Sequence, residues 1–329
     1  MITNRQGTGA SVRRHGRRLA RTTAATAMGC LIAGAALAAD DWTRSKWGPD
    51  DEIGAANNLS PEKVLEAAQL IKTGKTYPLG IETNSKTPAY APRGFKIYVV
   101  QPGQTQGGSL GPTKTTYNDD IIEGWLGIGS QIDGLGHIGI DGTYYNGHQA
   151  KDFAAMTGLT KLGIEKVPPI TTRGVLLDMA AHYGTDVVKE GTAFNKAEID
   201  EVAKKQGVEI RKGDVVLFNT GWISLIGKDD KRYSSGEPGL GREGARYLAE
   251  KGVVAIGADS WALEAIPFEQ GAGVFEVHQI LLPQNGVYIL ENMNTAELAK
   301  DKAYEFMFVL GQPRYTGAVQ AIINPVAIR

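Results

Sequence analysis

Cysteine is almost absent from this sequence: Cys30 is the single one among 329 residues. The chain therefore has no second thiol for an internal disulfide, and residues 39–329 offer neither a thiol nucleophile nor a cysteine ligand for zinc. Aromatic residues are also sparse, at 8%, whereas 42 residues are glycine. This composition excludes a collagen, a coiled coil, a disordered tail and a small disulfide-stabilised protein, and it suits an enzyme of the α/β class.

The chain as a whole lacks a large net charge, but its charged residues are unevenly distributed along the sequence. The 35 basic and 36 acidic residues nearly cancel, yet residues 1–39 hold six arginines and no acidic residue. The remaining residues are therefore acidic, with 29 basic against 36 acidic side chains. Nucleic-acid binding requires clustered Lys and Arg that neutralise phosphates, so we expect no nucleic-acid partner.

The first 38 residues have the order of a secretory signal peptide. Arginines up to Arg21 precede an apolar stretch at 22–37, which ends in the small-x-small sequence of residues 36–38. The apolar stretch is shorter than the roughly 20 residues that a membrane-spanning helix needs. We therefore predict a cleaved signal at 1–38, a mature chain at 39–329 that is periplasmic or secreted, and no membrane partner.

The pattern leaves the export route open. The pair Arg17-Arg18 is compatible with twin-arginine export, although the motif is incomplete. Cys30 has poor neighbours for lipid attachment, so a lipoprotein is the weaker alternative.

Residues 39–329 alternate between helical and strand-like patterns, which predicts one α/β domain with a mixed sheet and flanking helices. Helices are expected to start after Ser60, after Asn195 and near Arg242, where capping residues precede apolar side chains at helical spacing. The first is expected to run to Gly74. Short β-rich runs bounded by Gly or Pro are expected as strands at 96–100, 174–179, 214–219, 253–257, 287–290 and 305–310. The order strand, helix, strand across 214–257 predicts a parallel βαβ unit.

Two glycine-rich motifs lack the context that nucleotide binding requires. Residues 134–139 and 239–244 both match G-x-G-x-x-G, but neither lies between a strand and a helix. No G-x-S-x-G or Walker motif is present, so serine hydrolases and P-loop enzymes are excluded.

The remaining candidates for chemistry are carboxylates and histidines. In an extended segment, Gln131, Asp133 and His137 would share one face, while His278 lies in an apolar helical stretch and Glu291 follows a strand. Carboxylate and imidazole ligands suit zinc or manganese. The same spacing is equally compatible with a capped or surface histidine, a loop histidine and solvated acids.

Several segments, in order, resemble the putative cyclase family, which includes bacterial kynurenine formamidase and isatin hydrolase. Residues 47–57 resemble its opening, and 131–137 resemble the second half of its H-x-G-T-H-x-D-x-P-x-H signature. Residues 214–222 and 257–260 are similar to later family segments, and a late His and Glu follow. The resemblance implies a swivelling β/β/α fold, a small and often cyclic or aromatic substrate, and a homo-oligomer.

Carried over by position, the resemblance assigns roles to five residues. Asp133, His278 and Glu291 would be metal ligands, His137 the catalytic acid/base, and Trp47 an aromatic residue that contacts the substrate.

The sequence departs from the signature at three positions. Gly127 and Gln131 stand where the signature has histidines, and Leu135 stands where it has proline. With two imidazoles missing, we expect one divalent ion, Zn or Mn, with Gln131 as a weak fourth ligand or a hydrogen-bond donor to the ligands.

Such a centre predicts an exported hydrolase of a small amide, formamide, lactam or lactone that uses metal-activated water, with C–N bonds as the favoured target. Kynurenine formamidase activity itself is disfavoured, because tryptophan breakdown is cytosolic. Two alternatives stay open: a periplasmic small-molecule binder of the same fold, and a metal-dependent lyase or isomerase.

Overall fold

The computed structural model describes residues 41–101 and 108–329, so the predicted signal peptide lies outside the described residues. The α-helices in these ranges are α1 Pro61–Ala68, α2 Ala150–Phe153, α3 Met179–Tyr183, α4 Lys196–Gln206, α5 Asp230–Ser235, α6 Arg242–Glu250, α7 Glu276–Asn285 and α8 Ala296–Lys300. The strands are β1 Thr76–Pro78, β2 Phe95–Val100, β3 Asp119–Gly124, β4 Gln131–Asp133, β5 Ala154–Ala155, β6 Gly158–Leu159, β7 Ile170–Asp178, β8 Ala193–Phe194, β9 Val215–Asn219, β10 Gly239–Leu240, β11 Ala255–Ala258, β12 Tyr288–Glu291, β13 Glu305–Leu310, β14 Gln320–Ile322 and β15 Val326–Ile328. Within these ranges no helix has the length and hydropathy that a membrane crossing requires.

Nine strands form one mixed sheet in the order β1-β15-β13-β7-β9-β11-β12-β4-β14. The four central strands β7, β9, β11 and β12 are parallel, and the strands on either side of them are antiparallel to their neighbours. Strands β9, β11 and β12 are buried throughout and mostly apolar, as expected for the central strands of a parallel sheet covered on both faces. The predicted α/β fold with a mixed sheet and flanking helices is confirmed.

The local signals read from the sequence account for most of the elements. Asn195 and Glu198 form a capping box at the start of α4, and Gly207 ends the helix with φ 70°. Strands β9 and β11 pair in parallel, with α6 between them, as the βαβ unit predicted.

The first helix is shorter than predicted. It ends at Ala68 rather than at Gly74. The N–H groups of Thr73 and Lys75 donate to the carbonyl of Arg329, at 3.1 and 3.0 Å, so this segment pairs with the C-terminal end of the sheet instead of continuing the helix.

The segment around Asp133 is also less extended than predicted. Strand β4 stops at Asp133, and a turn follows in which the N–H of His137 donates to the carbonyl of Gly134 at 3.0 Å. Ahead of β4, strand β3 pairs with β2 in an antiparallel and largely exposed two-stranded sheet.

Candidate metal centre

Strand β4 places two side chains of the candidate centre opposite residues from its two neighbours. In the β4–β12 ladder Gln131 faces Glu291, and in the β4–β14 ladder Asp133 faces Gln320. Directly opposed residues of an antiparallel pair project from the same face of the sheet. The sheet register therefore gathers two carboxylates and two amides into one buried cluster, in which each residue is at most 6% exposed.

Helix α7 supplies the imidazole. His278 is 3% exposed, and its Nδ1 lies 2.6 Å from Oε1 of Glu264, which is itself buried. The same carboxylate accepts the N–H groups of Val277 and His278 at 3.4 and 3.3 Å, in the first turn of the helix. Glu264 therefore fixes the ring and leaves Nε2 facing the cluster, an arrangement typical of metal-ligating histidines.

Asp133, His278 and Glu291 form a candidate metal-binding triad. Nε2 of His278 lies 3.4 Å from Oε1 of Glu291 and 3.8 Å from Oδ2 of Asp133, and the three ligand atoms lie within 4.8 Å of one another. Ligand atoms about 2.1 Å from a tetrahedral ion are separated by roughly 3.4 Å, so the spacing suits a zinc-sized ion.

One atom of the triad tests whether an ion fits. Oδ2 of Asp133 is fully buried and has no hydrogen-bond partner among the described residues. A buried carboxylate oxygen without a partner is costly, and a cation is the partner that a carboxylate in this position would take. The donor set thus fits a divalent ion.

Two amides hold the carboxylates in place. Nε2 of Gln131 donates to Oδ1 of Asp133 at 3.1 Å and to Oε2 of Glu291 at 2.7 Å, while Nε2 of Gln320 donates to the same Oδ1 at 2.7 Å. The Gln131 amide nitrogen is engaged with both carboxylates, which agrees with the donor role of the two considered for it. Each carboxylate has one bound oxygen and presents the other to His278.

His137 lies beside the triad rather than within it. Its Nε2 is 3.9 Å from Oδ2 of Asp133, and its side chain is 17% exposed. Burial is the main effect that lowers the pKa of this imidazole, so the ring is neutral at neutral pH and can accept a proton. The turn at Gly134 brings it to this position.

The charges of the cluster bind protons in the absence of an ion. Burial opposes protonation of His278, but its contacts with Glu264 and Glu291 prevail and raise its pKa to about 10. Burial, with the Asp133 charge close by, raises the pKa of Glu291 to about 7. A divalent ion would displace these protons because it neutralises the same carboxylates.

Gly127 marks the place where the structure departs from the family signature. A Cβ at this position would lie 2.7 Å from Nη1 of Arg93 and 2.7 Å from Oε1 of Gln320. Nη1 of Arg93 also donates to the carbonyl of Gly127 at 2.7 Å. A guanidinium and an amide therefore occupy the space that a side chain at position 127 would need.

In the described part of the chain, the triad is the one cluster of three suitable ligands, so no separate set of ligands is present there for a second metal ion. Asp259, a candidate for such a centre by residue type, accepts the N–H and O–H of Thr220 at 2.8 and 2.6 Å and the N–H of Gly221 at 2.7 Å. Its oxygens are thus already engaged in holding a turn.

The cavity beside the triad has an aromatic wall that consists of Tyr90, Trp261 and Phe275. The rings of Tyr90 and Trp261 stack with centroids 6.0 Å apart, and Phe275 meets Tyr90 edge-on at 6.4 Å. The cavity has a volume of about 230 Å³, and Arg93, His137, His278 and Glu291 also line it.

Trp47 is not among the residues that line this cavity. It packs partly buried against the core, with Nζ of Lys46 4.4 Å from its ring centroid. Its contact with a substrate therefore stays a prediction.

The mixed sheet and the buried carboxylate–imidazole triad define the class of protein: an α/β protein with a candidate metal centre at the antiparallel edge of its sheet. The chain belongs to the putative cyclase family, whose model matches residues 70–265. The resemblance seen in the sequence is thereby confirmed at the level of the family.

Solved structures show the same fold. A novel cyclase shares 32% identity with this chain, with a TM-score of 0.79 over 86% of this chain and 96% of the other. Isatin hydrolase A from Ralstonia solanacearum is 16% identical, with a TM-score of 0.61 over 82% and 98% of the two chains. A predicted metal-dependent hydrolase from Bacillus stearothermophilus is 18% identical, with a TM-score of 0.52 over 78% and 98%. A comparison with curated proteins gave no significant match.

Three residues of the centre belong to no pattern that the sequence makes recognisable. Glu264 precedes His278 by 14 residues, Gln320 follows Asp133 by 187, and Arg93 precedes Gly127 by 34. None belongs to a motif with a fixed spacing. The missing side chain at Gly127 was the one available signal, because it indicates that another group fills the space.

Proposed function

We propose that this chain is a metal-dependent hydrolase of a small amide, formamide, lactam or lactone, exported by the signal at residues 1–38. One observation carries the metal dependence: a buried carboxylate oxygen of Asp133 has no protein partner among the described residues and faces a buried imidazole and a second carboxylate. Two proteins of similar fold are named isatin hydrolase and metal-dependent hydrolase, which favours hydrolysis as the reaction.

Asp133, His278 and Glu291 would hold one divalent ion, zinc or manganese. When bound, such an ion supplies Lewis-acid polarisation of a carbonyl and lowers the pKa of water. His137, neutral and next to the triad, takes the proton of the attacking water at Nε2 and returns it to the leaving nitrogen or oxygen. Glu264 keeps the His278 ring in the orientation that ligation requires.

The substitution His137→Ala tests this division of roles. We expect the variant to keep its metal and to lose about 10²- to 10⁴-fold in turnover, the usual contribution of a general acid/base. Metal content is measured by elemental analysis, and turnover is measured on a panel of formamides, lactams and lactones. His182→Ala, at a partly exposed histidine outside the cavity, is the matched control and should change neither quantity.

The outcomes separate the proposal from its alternatives. If His137→Ala purifies without metal, then His137 is a ligand and its proposed role is wrong. Ligand binding without turnover of any carbonyl substrate would favour a small-molecule binder. Product that contains no oxygen from H₂¹⁸O would favour a lyase or isomerase, because hydrolysis incorporates solvent oxygen.

A further inference from the structure

Arg93 is a cation in the wall of the catalytic cavity without a carboxylate of its own. Within the described residues its guanidinium forms no ion pair, and its one hydrogen bond goes to the neutral carbonyl of Gly127. The residue is only partly exposed, so solvent does not fully surround the charge. A guanidinium carries five N–H donors in a planar fork that matches a carboxylate.

The surroundings of Arg93 indicate what kind of molecule would pair with it. The aromatic wall lies in the same cavity, which suits a flat ring, since aromatic pairs stack or meet edge-on at these separations. The volume of about 230 Å³ is below the roughly 300 to 1,000 Å³ of most ligand pockets, which limits the ligand to one or two rings.

The backbone of the wall supports a ligand-binding role. Phe275 has φ 52° and ψ 39°, left-handed values that a bulky residue adopts only when its surroundings hold it there. Its ring meets His278 edge-on at 5.3 Å between centroids. The aromatic wall is therefore positioned relative to the metal triad by the start of α7.

We propose that Arg93 is a specificity residue that binds a carboxylate carried by the substrate, so that the enzyme acts on small aromatic or cyclic acids. The ring would lie against the aromatic wall, and the guanidinium fork would hold the carboxylate. The scissile carbonyl would then face His137 and the triad. The substrate class in this assignment rests on the proposed hydrolytic function, whereas the binding of an acid by Arg93 does not depend on it.

The first test measures binding without turnover. Benzoate, benzenesulfonate and neutral benzamide are titrated into the metal-loaded protein by calorimetry. We expect both anions to bind more tightly than benzamide; benzenesulfonate is included because it is a weak metal ligand. Arg93→Gln should weaken anion binding by roughly 10- to 100-fold and leave benzamide unchanged. Arg93→Lys should give an intermediate loss, since the charge remains but the fork does not.

Arg314→Gln is the matched control, because Arg314 is an exposed arginine outside the cavity, and it should bind as the unmodified protein does. Metal content is measured for every variant, so that loss of the ion is not mistaken for loss of the guanidinium. Equal binding of benzoate and benzamide, or an anion preference that survives in Arg93→Gln, would overturn the proposal.

The second test uses turnover. Hydrolysis of 4-formamidobenzoate is compared with that of formanilide; both release formate, so they differ only in the carboxylate on the ring. We expect a preference for the acid in kcat/KM that Arg93→Gln removes. Turnover of both without a preference would keep the hydrolase and overturn the role of Arg93. Anion binding that depends on Arg93 without any turnover would keep Arg93 as the anion site and overturn the proposed function.

Discussion

The substitution Asp133→Asn gives a sharp test of the metal centre, because the hydrogen bonds around Asp133 decide how an asparagine would be oriented. Oδ1 of Asp133 accepts from Nε2 of both Gln131 and Gln320, at 3.1 and 2.7 Å. The carbonyl oxygen of the asparagine must therefore keep that place, and its NH₂ group must take the place of Oδ2. An amide NH₂ cannot ligate a cation, so the substitution removes the ligand as well as the charge.

The magnitude follows from the two oxygens of Asp133. Oδ2 is buried without a partner among the described residues, and a buried polar atom left unsatisfied costs about 1–3 kcal/mol. In the metal-free protein Asp133→Asn replaces one buried unpartnered group by another and removes a charge that both repels Glu291 and attracts His278, so we expect its melting temperature to stay within about 2–4 °C of that of the unmodified protein. With metal at a thousandfold excess over Kd, the unmodified protein should gain about 4 kcal/mol and the variant nothing.

Asp259→Asn is the matched control, because Asp259 is equally buried but has both carboxylate oxygens hydrogen-bonded by Thr220 and Gly221. An amide there turns an NH₂ group toward a donor, so the metal-free variant should lose roughly 1–3 kcal/mol and still be stabilised by metal.

The measurement is differential scanning calorimetry in EDTA and in excess zinc or manganese. The reasoning is refuted if Asp133→Asn retains a metal-induced rise in melting temperature, or if it destabilises the metal-free protein as much as Asp259→Asn does.

Three further outcomes are expected. The raised pKa of His278 keeps its imidazole protonated at neutral pH in the metal-free protein, so metal affinity should rise with pH, up to tenfold per pH unit between about pH 7 and 9. Calorimetry in buffers of different ionisation enthalpy should detect the protons released when metal binds, and binding without released protons would contradict this expectation. Gly127→Ala brings its Cβ within 2.7 Å of the ends of the Arg93 and Gln320 side chains, which can shift, so it should cost at most about 1 kcal/mol in denaturant unfolding and weaken benzoate binding by displacing the guanidinium; Gly311→Ala, with open space around it, should change neither, and unaltered benzoate binding in Gly127→Ala would contradict this. Full-length protein expressed in a bacterium should be cleaved after Ala38, as mass spectrometry would show, and active cytosolic protein that retains its first residue would rule out the signal peptide.

The types and positions of the triad residues could be predicted from the sequence because each belongs to a recognisable local pattern. Asp133 lies in a short polar-apolar alternation, His278 in an apolar helix, and Glu291 at the end of a strand, and all three patterns survive in the structure. Their convergence depends on the order β12-β4-β14, in which an antiparallel strand joins the edge of a parallel sheet. Local periodicity carries no information about that order, so Gln320 could not be associated with Asp133.

His137 shows how a correct neighbourhood can be predicted from a wrong conformation. The alternating sequence pattern predicted an extended segment from Gln131 to His137, whereas strand β4 has only three residues and the chain turns at Gly134. An extended chain would separate the Cα atoms of Asp133 and His137 by about 13 Å, whereas the turn at Gly134 brings Nε2 of His137 to 3.9 Å from Oδ2 of Asp133. The turn, and not the shared strand face predicted from the alternation, therefore accounts for the position of His137.

In this structure a side chain at position 127, where the signature has a histidine, would compete with Arg93 for the same space. A side chain at position 127 would occupy the space of the Arg93 guanidinium and the Gln320 amide, both 2.7 Å from the place of its Cβ. A histidine there would therefore displace the cation that we assign to the substrate carboxylate. Conversely, a guanidinium in the cavity wall beside the triad opposes a second divalent ion, since two cations a few ångströms apart repel each other strongly in a buried site. Glycine at position 127 therefore leaves this space to the arginine that we assign to the substrate carboxylate.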